Sequence, residues 1–255
     1  MTKHIRIVTP HTTPRPFKLD EVAHLSATAD VKFSQVGIDR GPSSIECQFD
    51  EVLCAPYVVG RCIEAEAQGI DAVIIDCMGD PGLGAAREAV SIPVLGPGEA
   101  SMLIAVMLGH RYGIVTIMDR IRPIIEDHAR VYGTYDRLAC VRSIDVPVLD
   151  IDENEGKVVD ALITQSTGAI LEDKADVIIL GCTGFLGVSE KIEAGLRDRG
   201  LRVPVINPLR TTAMLAFALV SVGLTQSSIA YPWPGRKSVK GYDDLPCPPG
   251  TGNAT

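Results

Sequence analysis

Asp71-Ala72-Val73-Ile74-Ile75-Asp76-Cys77 and Ala175-Asp176-Val177-Ile178-Ile179-Leu180-Gly181-Cys182 are the two stretches on which the fold turns. Each is a short, apolar, β-branched run that ends on a cysteine, the pattern of a parallel strand buried on both faces. Two further pairs accompany them. Ile5-Arg6-Ile7-Val8-Thr9 is echoed by Tyr112-Gly113-Ile114-Val115-Thr116, and Ile92-Pro93-Val94 by Val203-Pro204-Val205. Apolar runs resemble one another by chance, but these three blocks keep their order, at separations of 107, 105 and 111 residues. That regularity marks a duplicated unit.

Working outward, each half alternates strands with helices. Strands are expected at 5–9, 31–36, 71–76 and 92–95, then at 112–117, 138–144, 175–180 and 203–206. The clearest helix runs from Phe49 to Gln68, where Val52, Ala55, Val59 and Ile63 recur at helical spacing and Gly69 supplies a stop. Alternation of this kind predicts an α/β fold: two pseudo-symmetric domains, each a four-stranded, mostly parallel sheet flanked by helices with right-handed crossovers. The apolar helices at 99–109 and 209–222 are expected to cross between the halves. The first half is then 1–98 plus 207–232 and the second 99–206. Pro232, Pro234, Pro246, Pro248 and Pro249 make 233–255 a tail that is not regular helix.

Composition narrows the partners. With 46% hydrophobic and 22% charged residues in 255, the chain can bury a core without staples. A net charge of −8 and only 5% aromatic residues leave no basic footprint and no stacking surface for nucleic acid. The start, Met1-Thr2-Lys3-His4, lacks the pattern of a signal peptide, and the longest apolar stretches are too short to span a bilayer. The expected setting is the cytoplasm, with no membrane partner, a small-molecule substrate and a homo-oligomeric assembly. The seven cysteines are then reduced. Neither a metal cluster nor a phosphate-binding loop is visible: Gly79-x-x-Gly82-x-Gly84 is not a dinucleotide fingerprint, so no cofactor and no metal are expected.

Ligands of parallel α/β sheets bind beyond the carboxyl ends of the strands. Cys77 and Cys182 stand at equivalent strand ends, one in each half, so a cleft between the halves would set the thiols opposite each other. Taken singly, a cysteine at a strand end is more often a small buried apolar residue. Two at matching repeat positions, each in a glycine-containing loop, point to chemistry. Asp80-Pro81 reads as an N-cap and first helical residue, which predicts a helix N-terminus favouring a Cys77 thiolate. Gly181 and Gly184 allow backbone N–H groups near Cys182, and Thr183 adds a hydroxyl. His11, in the loop after the first strand, is a candidate for the same cleft and equally a surface histidine. Cys54 and Cys62 read as packing, and Cys47, Cys140 and Cys247 sit in no motif.

These residues resemble the aspartate/glutamate/hydantoin racemase superfamily, the hydantoin racemase branch in particular. The matching pieces are Asp39-Arg40-Gly41-Pro42-Ser43-Ser44-Ile45-Glu46, Phe49-Asp50-Glu51, Cys77-x-Gly79-Asp80-Pro81-Gly82, Leu180-Gly181-Cys182-Thr183-Gly184 and Ile206-x-Pro208, within residues 4–232. The resemblance implies an active site between two α/β domains, no cofactor, and Cys77 and Cys182 as acid and base. By position it puts Met78, Gly79, Thr183, Gly184 and Thr116 at the substrate, with Pro10 and His11 in the loop that holds the ring or carboxylate and Phe185 beside them. Thr9-Pro10-His11 departs from the Asn-Pro-Asn usual in the branch, and Phe185 replaces a common Met.

The function expected is racemisation at C5 of a 5-substituted hydantoin or a relative such as allantoin, where a neighbouring carbonyl delocalises the carbanion and a thiolate suffices as base. The alternatives on the same scaffold are an acidic amino-acid racemase, against which Met78-Gly79 stands in place of Asn-Thr, and a maleate isomerase-like enzyme. Arylmalonate decarboxylases keep only the second-half cysteine, so Cys77 argues against them. A non-catalytic small-molecule binding protein is the remaining reading.

Overall fold

The computed structural model describes residues 2–14, 17–235 and 240–246. The apolar runs form the strands of two four-stranded sheets. The first half comprises β1 (Lys3–Thr9), α1 (Lys18–Thr28), β2 (Val31–Gly37), α2 (Gln48–Ala67), β3 (Ala72–Ile75), α3 (Leu83–Ala89), β4 (Val94–Leu95) and α4 (Pro97–Leu108). The second repeats the order: β5 (Tyr112–Thr116), α5 (Arg122–Val131), β6 (Leu138–Ser143), α6 (Glu155–Leu171), β7 (Val177–Leu180), α7 (Ser189–Asp198), β8 (Val205–Ile206) and α8 (Pro208–Ser221). The sheets run β2-β1-β3-β4 and β6-β5-β7-β8, every pairing parallel. The paired blocks of the sequence thus occupy identical topological places.

Strands β3 and β7 are buried along their whole length, as their unbroken apolar content requires. Strands β4 and β8 are two residues shorter than expected, and for one shared reason. Pro93 and Pro204 have no N–H to give a ladder. Only their carbonyls take part, accepting from Val73 N and Ile178 N at 2.9 Å each.

The two apolar helices are exchanged. Helix α4 follows the first sheet but packs on β5, β7 and α5, its Met102 and Ala105 joining Ile114, Val177 and Ile179 in one core. Helix α8 follows the second sheet but packs on β1, β3 and α1, with Leu209, Ala213 and Ala216 against Ile5, Ile7 and Ile74. The two helices also pack on each other. Full burial of a Met, Leu or Ile side chain is worth roughly 1.5–3 kcal/mol, and of an alanine methyl about 0.8 kcal/mol, so both sheets depend on a helix borrowed from the other half.

The local reading of Asp80-Pro81 is corrected. Helix α3 begins two residues later, behind Gly82 in the left-handed region at φ 76°. Asp80 itself has φ 44° and turns away to α4, where its carboxylate accepts from Gly98 N at 2.9 Å and Glu99 N at 2.7 Å. It caps the exchanged helix rather than its own neighbour. In the tail, residues 240–246 fold back on α2: Asp244 pairs with Arg40 at 2.7 Å, and Leu245 and Pro246 lie against Gly60. The prolines at 248 and 249 and Cys247 lie outside the described residues. No helix among the described residues is long and apolar enough to cross a membrane.

Candidate active site

In a sheet ordered 2-1-3-4 the chain reverses its direction of winding beside the first strand, so the loops after β1 and β3 flank the switch point where ligands bind. Those loops carry Pro10-His11 and Cys77. The second half brings the loop after β7, with Cys182, to the same place. Pro10, His11, Cys77, Cys182, Thr183 and Gly184 line one pocket, together with Lys18, Ile45, Asp76 and Val148. Both cysteines are half-buried.

The two thiols are held alike. Gly79 N–H points at Cys77 Sγ from 3.4 Å, and Gly184 N–H at Cys182 Sγ from 3.2 Å, each donor two residues after its sulfur. These contacts do for the sulfurs what the expected helix N-terminus does not. They differ in surroundings, however. Burial pushes the Cys77 thiol well above the ordinary range, the nearby Glu51 carboxyl adds to the rise, and the Gly79 N–H opposes it. Glu51 reaches from α2 so closely that its Oε1 lies 1.7 Å from where a Cβ on Gly79 would stand, so any side chain there would have to push the carboxyl aside. Burial, with Asp80 and Asp50 close by, raises the Glu51 carboxyl itself to about 7.

Behind the thiols runs a polar link between the halves. Lys18 Nζ, from the first turn of α1, donates to Asp76 Oδ1 at 3.0 Å, to the Thr183 carbonyl at 2.5 Å and to Thr183 Oγ1 at 3.1 Å. Thr183 Oγ1 in turn donates to the Asp76 carbonyl at 3.2 Å. The three protons of the ammonium are thereby all used. Thr9, at the end of β1, donates to Asp76 Oδ2 at 3.3 Å, and its counterpart Thr116, at the end of β5, donates to the Gly181 carbonyl at 3.0 Å. Each threonine therefore ties down the residue preceding a cysteine.

Four residues expected at the substrate lie outside the lining. Met78 is buried in the core beneath α4, Phe185 in the core of the second half, and Thr116 is fully buried and bonded to Gly181. Gly79 contributes its N–H to Cys77 and also stands outside the lining. Lys18 and Asp76 were not singled out in the sequence. The available signal was Asp76 itself, a carboxylate at the end of an apolar strand, which needs a buried partner. Among the described residues no group of histidines, cysteines and carboxylates could hold a metal ion.

The pocket is small, about 30 Å³. Across its mouth Glu46 Oε1, on the loop before α2, accepts from Val148 N of the second half at 2.9 Å. Beside it, and sharing His11, opens a cleft of about 450 Å³ lined by Thr9, Thr12, Thr13, Leu19, Gln35 and Val36 among others.

Fold and site together define a class: a two-lobed α/β protein with one thiol at the equivalent strand end of each lobe, both facing one pocket. The sequence model of the Asp/Glu/Hydantoin racemase family matches residues 5–216, and the chain belongs to that family. It is a racemase, an isomerase. The hydantoin racemase of Pseudomonas sp. (strain NS671) is 34% identical over 239 residues, 93% of this chain and 94% of that one. Among solved structures, allantoin racemase from Klebsiella pneumoniae matches with a TM-score of 0.85 and 30% identity, covering 94% of this chain and 96% of that one. Allantoin racemase from Pseudomonas fluorescens matches at 0.84 and 33%, covering 93% and 100%.

Proposed function

We propose that this racemase acts at C5 of a 5-substituted hydantoin or a related compound such as allantoin, with Cys77 and Cys182 as its two bases. The observation that carries the reading is the placement of both thiols in the lining of one pocket, each addressed by the N–H two residues on. One thiolate takes the C5 proton, and the electron pair delocalises onto the adjacent carbonyl. The opposite thiol then delivers its proton to the other face, and the enzyme is left with the two protonation states exchanged. No group beyond the two sulfurs need gain or lose a proton. The similarity to hydantoin and allantoin racemases supports the substrate class.

The same reading has the enzyme working without a cofactor, in the cytoplasm and as a homo-oligomer. Chiral chromatography over a panel of hydantoins, allantoin, aspartate, glutamate and maleate tests it. Inversion of a hydantoin or allantoin, with the other three unchanged, is expected. Racemisation of an acidic amino acid, or isomerisation of maleate, in place of ring substrates would overturn the substrate assignment.

A further inference from the structure

The two thiols share a geometry but not a charge environment. On the first-half side the acids gather. Asp76 directly precedes Cys77, the Glu51 carboxyl lies against Gly79, and Asp50 and Asp80 stand behind Glu51. Cys54, buried on α2, adds no positive charge. On the second-half side the ammonium of Lys18 is lodged on both oxygens of Thr183, the residue after Cys182. The 3-10 turn Val148–Asn154 presents Ile151 to this loop, while its Asp150 and Asp152 are exposed. The charged side chains in the pocket lining are Lys18 and Asp76, beside His11; Glu46 accepts from the lining residue Val148, and Glu21 of α1 accepts from Gly187 N, five residues after Cys182. The buried pair is therefore oriented, with its cation on Thr183 and its anion joined to Cys77 by the chain. The pair itself is buried, so its orientation is weakly screened.

Resting on the two-thiol reading, we propose that Lys18 and Glu51 are positioning residues that divide the thiols before substrate arrives. Lys18 holds Cys182 as the resting thiolate and Glu51 keeps Cys77 as the resting thiol. Cys182 is then the base that meets a substrate entering the free enzyme, and Cys77 the acid. Turnover of the opposite enantiomer starts from the minority form, in which the single proton has moved from Cys77 to Cys182. The upward push on the Cys77 thiol from burial and from Glu51 agrees with this division.

The thiolate is the species that reacts with alkylating agents, so the pH midpoint of alkylation reports ionisation separately from access. The full chain is exposed briefly to iodoacetamide across a pH series, and each cysteine-containing peptide is quantified by mass spectrometry. The expected result is a midpoint for Cys182 lower than that for Cys77 by more than about one pH unit, a tenfold difference in thiolate fraction at neutral pH. Glu51→Gln keeps the shape of the side chain, and it should lower the Cys77 midpoint while leaving that of Cys182 in place. The double variant Lys18→Met, Asp76→Asn removes the pair without stranding a charge, and it should raise the Cys182 midpoint. Should the double variant not fold, the parent and Glu51→Gln decide the matter alone. Coincident midpoints, or a lower one at Cys77, would overturn the division. Racemisation measured on the same preparation keeps this separate from the two-thiol reading. An enzyme that racemises with coincident midpoints loses only the division, whereas one that keeps its rate as Cys77→Ser loses the two-thiol reading itself.

Discussion

Lys18 Nζ lies 3.0 Å from Asp76 Oδ1, and neither side chain is more than 3% exposed. Removing one partner strands a buried charge, which costs about 3–5 kcal/mol, whereas removing both leaves a neutral site. Lys18→Met and Asp76→Asn should each be strongly destabilised in urea unfolding, and the double variant less so than the sum of the two. Additive losses would show that the residues do not act as a pair.

Cys77→Ser and Cys182→Ser should each abolish net racemisation, since a serine hydroxyl is a far weaker base than a thiolate. Each variant should still incorporate deuterium from heavy water into one enantiomer, slowly and without inversion. The two variants should favour opposite enantiomers. Exchange of the same enantiomer by both would mean that the sulfurs do not flank the reacting carbon.

Burial raises Asp80 to about 7, against the pull of the Gly98 and Glu99 N–H groups and of Tyr132, and it is the main cause of the same value at Glu51. In the unfolded chain both carboxyls return to their ordinary range near 4. Between about pH 4 and pH 7 the folded protein thus binds more protons than the unfolded one, and its stability falls as pH rises through that window. The melting temperature should decline from about pH 5 to about pH 7, and Glu51→Gln should flatten part of that decline. A parallel decline in the variant would remove Glu51 from the cause.

His11 stands between the small thiol pocket and the open cleft of about 450 Å³. A ring held at the thiols would direct its 5-substituent past this side chain. His11→Asn restores the amide usual in the hydantoin racemase branch. It should shift kcat/KM toward simple alkyl hydantoins by about tenfold, the low end of the roughly 10–200-fold that about one methylene's worth of pocket contact can discriminate. An unchanged profile over a substituent series would exclude His11 from selection.

Asp80 also fixes the junction into α4. A Cβ on Gly98 would stand 2.4 Å from the Met78 carbonyl and 2.8 Å from Asp80 Oδ2. Gly98→Ala must displace backbone beside Cys77, at a cost of about 1–3 kcal/mol, and should reduce kcat as well as stability. Thermal melting together with steady-state kinetics checks both effects.

The strands and their parallel direction were legible because burial on both faces writes a continuous apolar run, and the repeat then doubled each signal. The two cysteines followed, since strand ends can be read once strands are. What could not be read was partnership at a distance. Asp80-Pro81 obeys a local capping rule, but the N–H groups it satisfies belong to a helix that starts at Pro97. Lys18 carries no local mark of burial, because its acceptors are Asp76 and Thr183, the latter 165 residues away. Met78 and Phe185 adjoin the site in sequence, yet their side chains turn into cores. Adjacency in the chain does not say which way a side chain faces.

The exchange of α4 and α8 bears on how such a chain arises and comes apart. Each half offers its final helix to the other, which is how two identical subunits join when they swap a terminal segment. Drawn as two chains, the halves would form a closed, symmetric pair in which neither member completes its own sheet cover. A fusion of that pair inherits mutual dependence: either half expressed by itself should be insoluble or expanded, and the two co-expressed should reconstitute one another. Heating the intact chain should accordingly melt both sheets in one transition, even though the topology alone depicts two separate units.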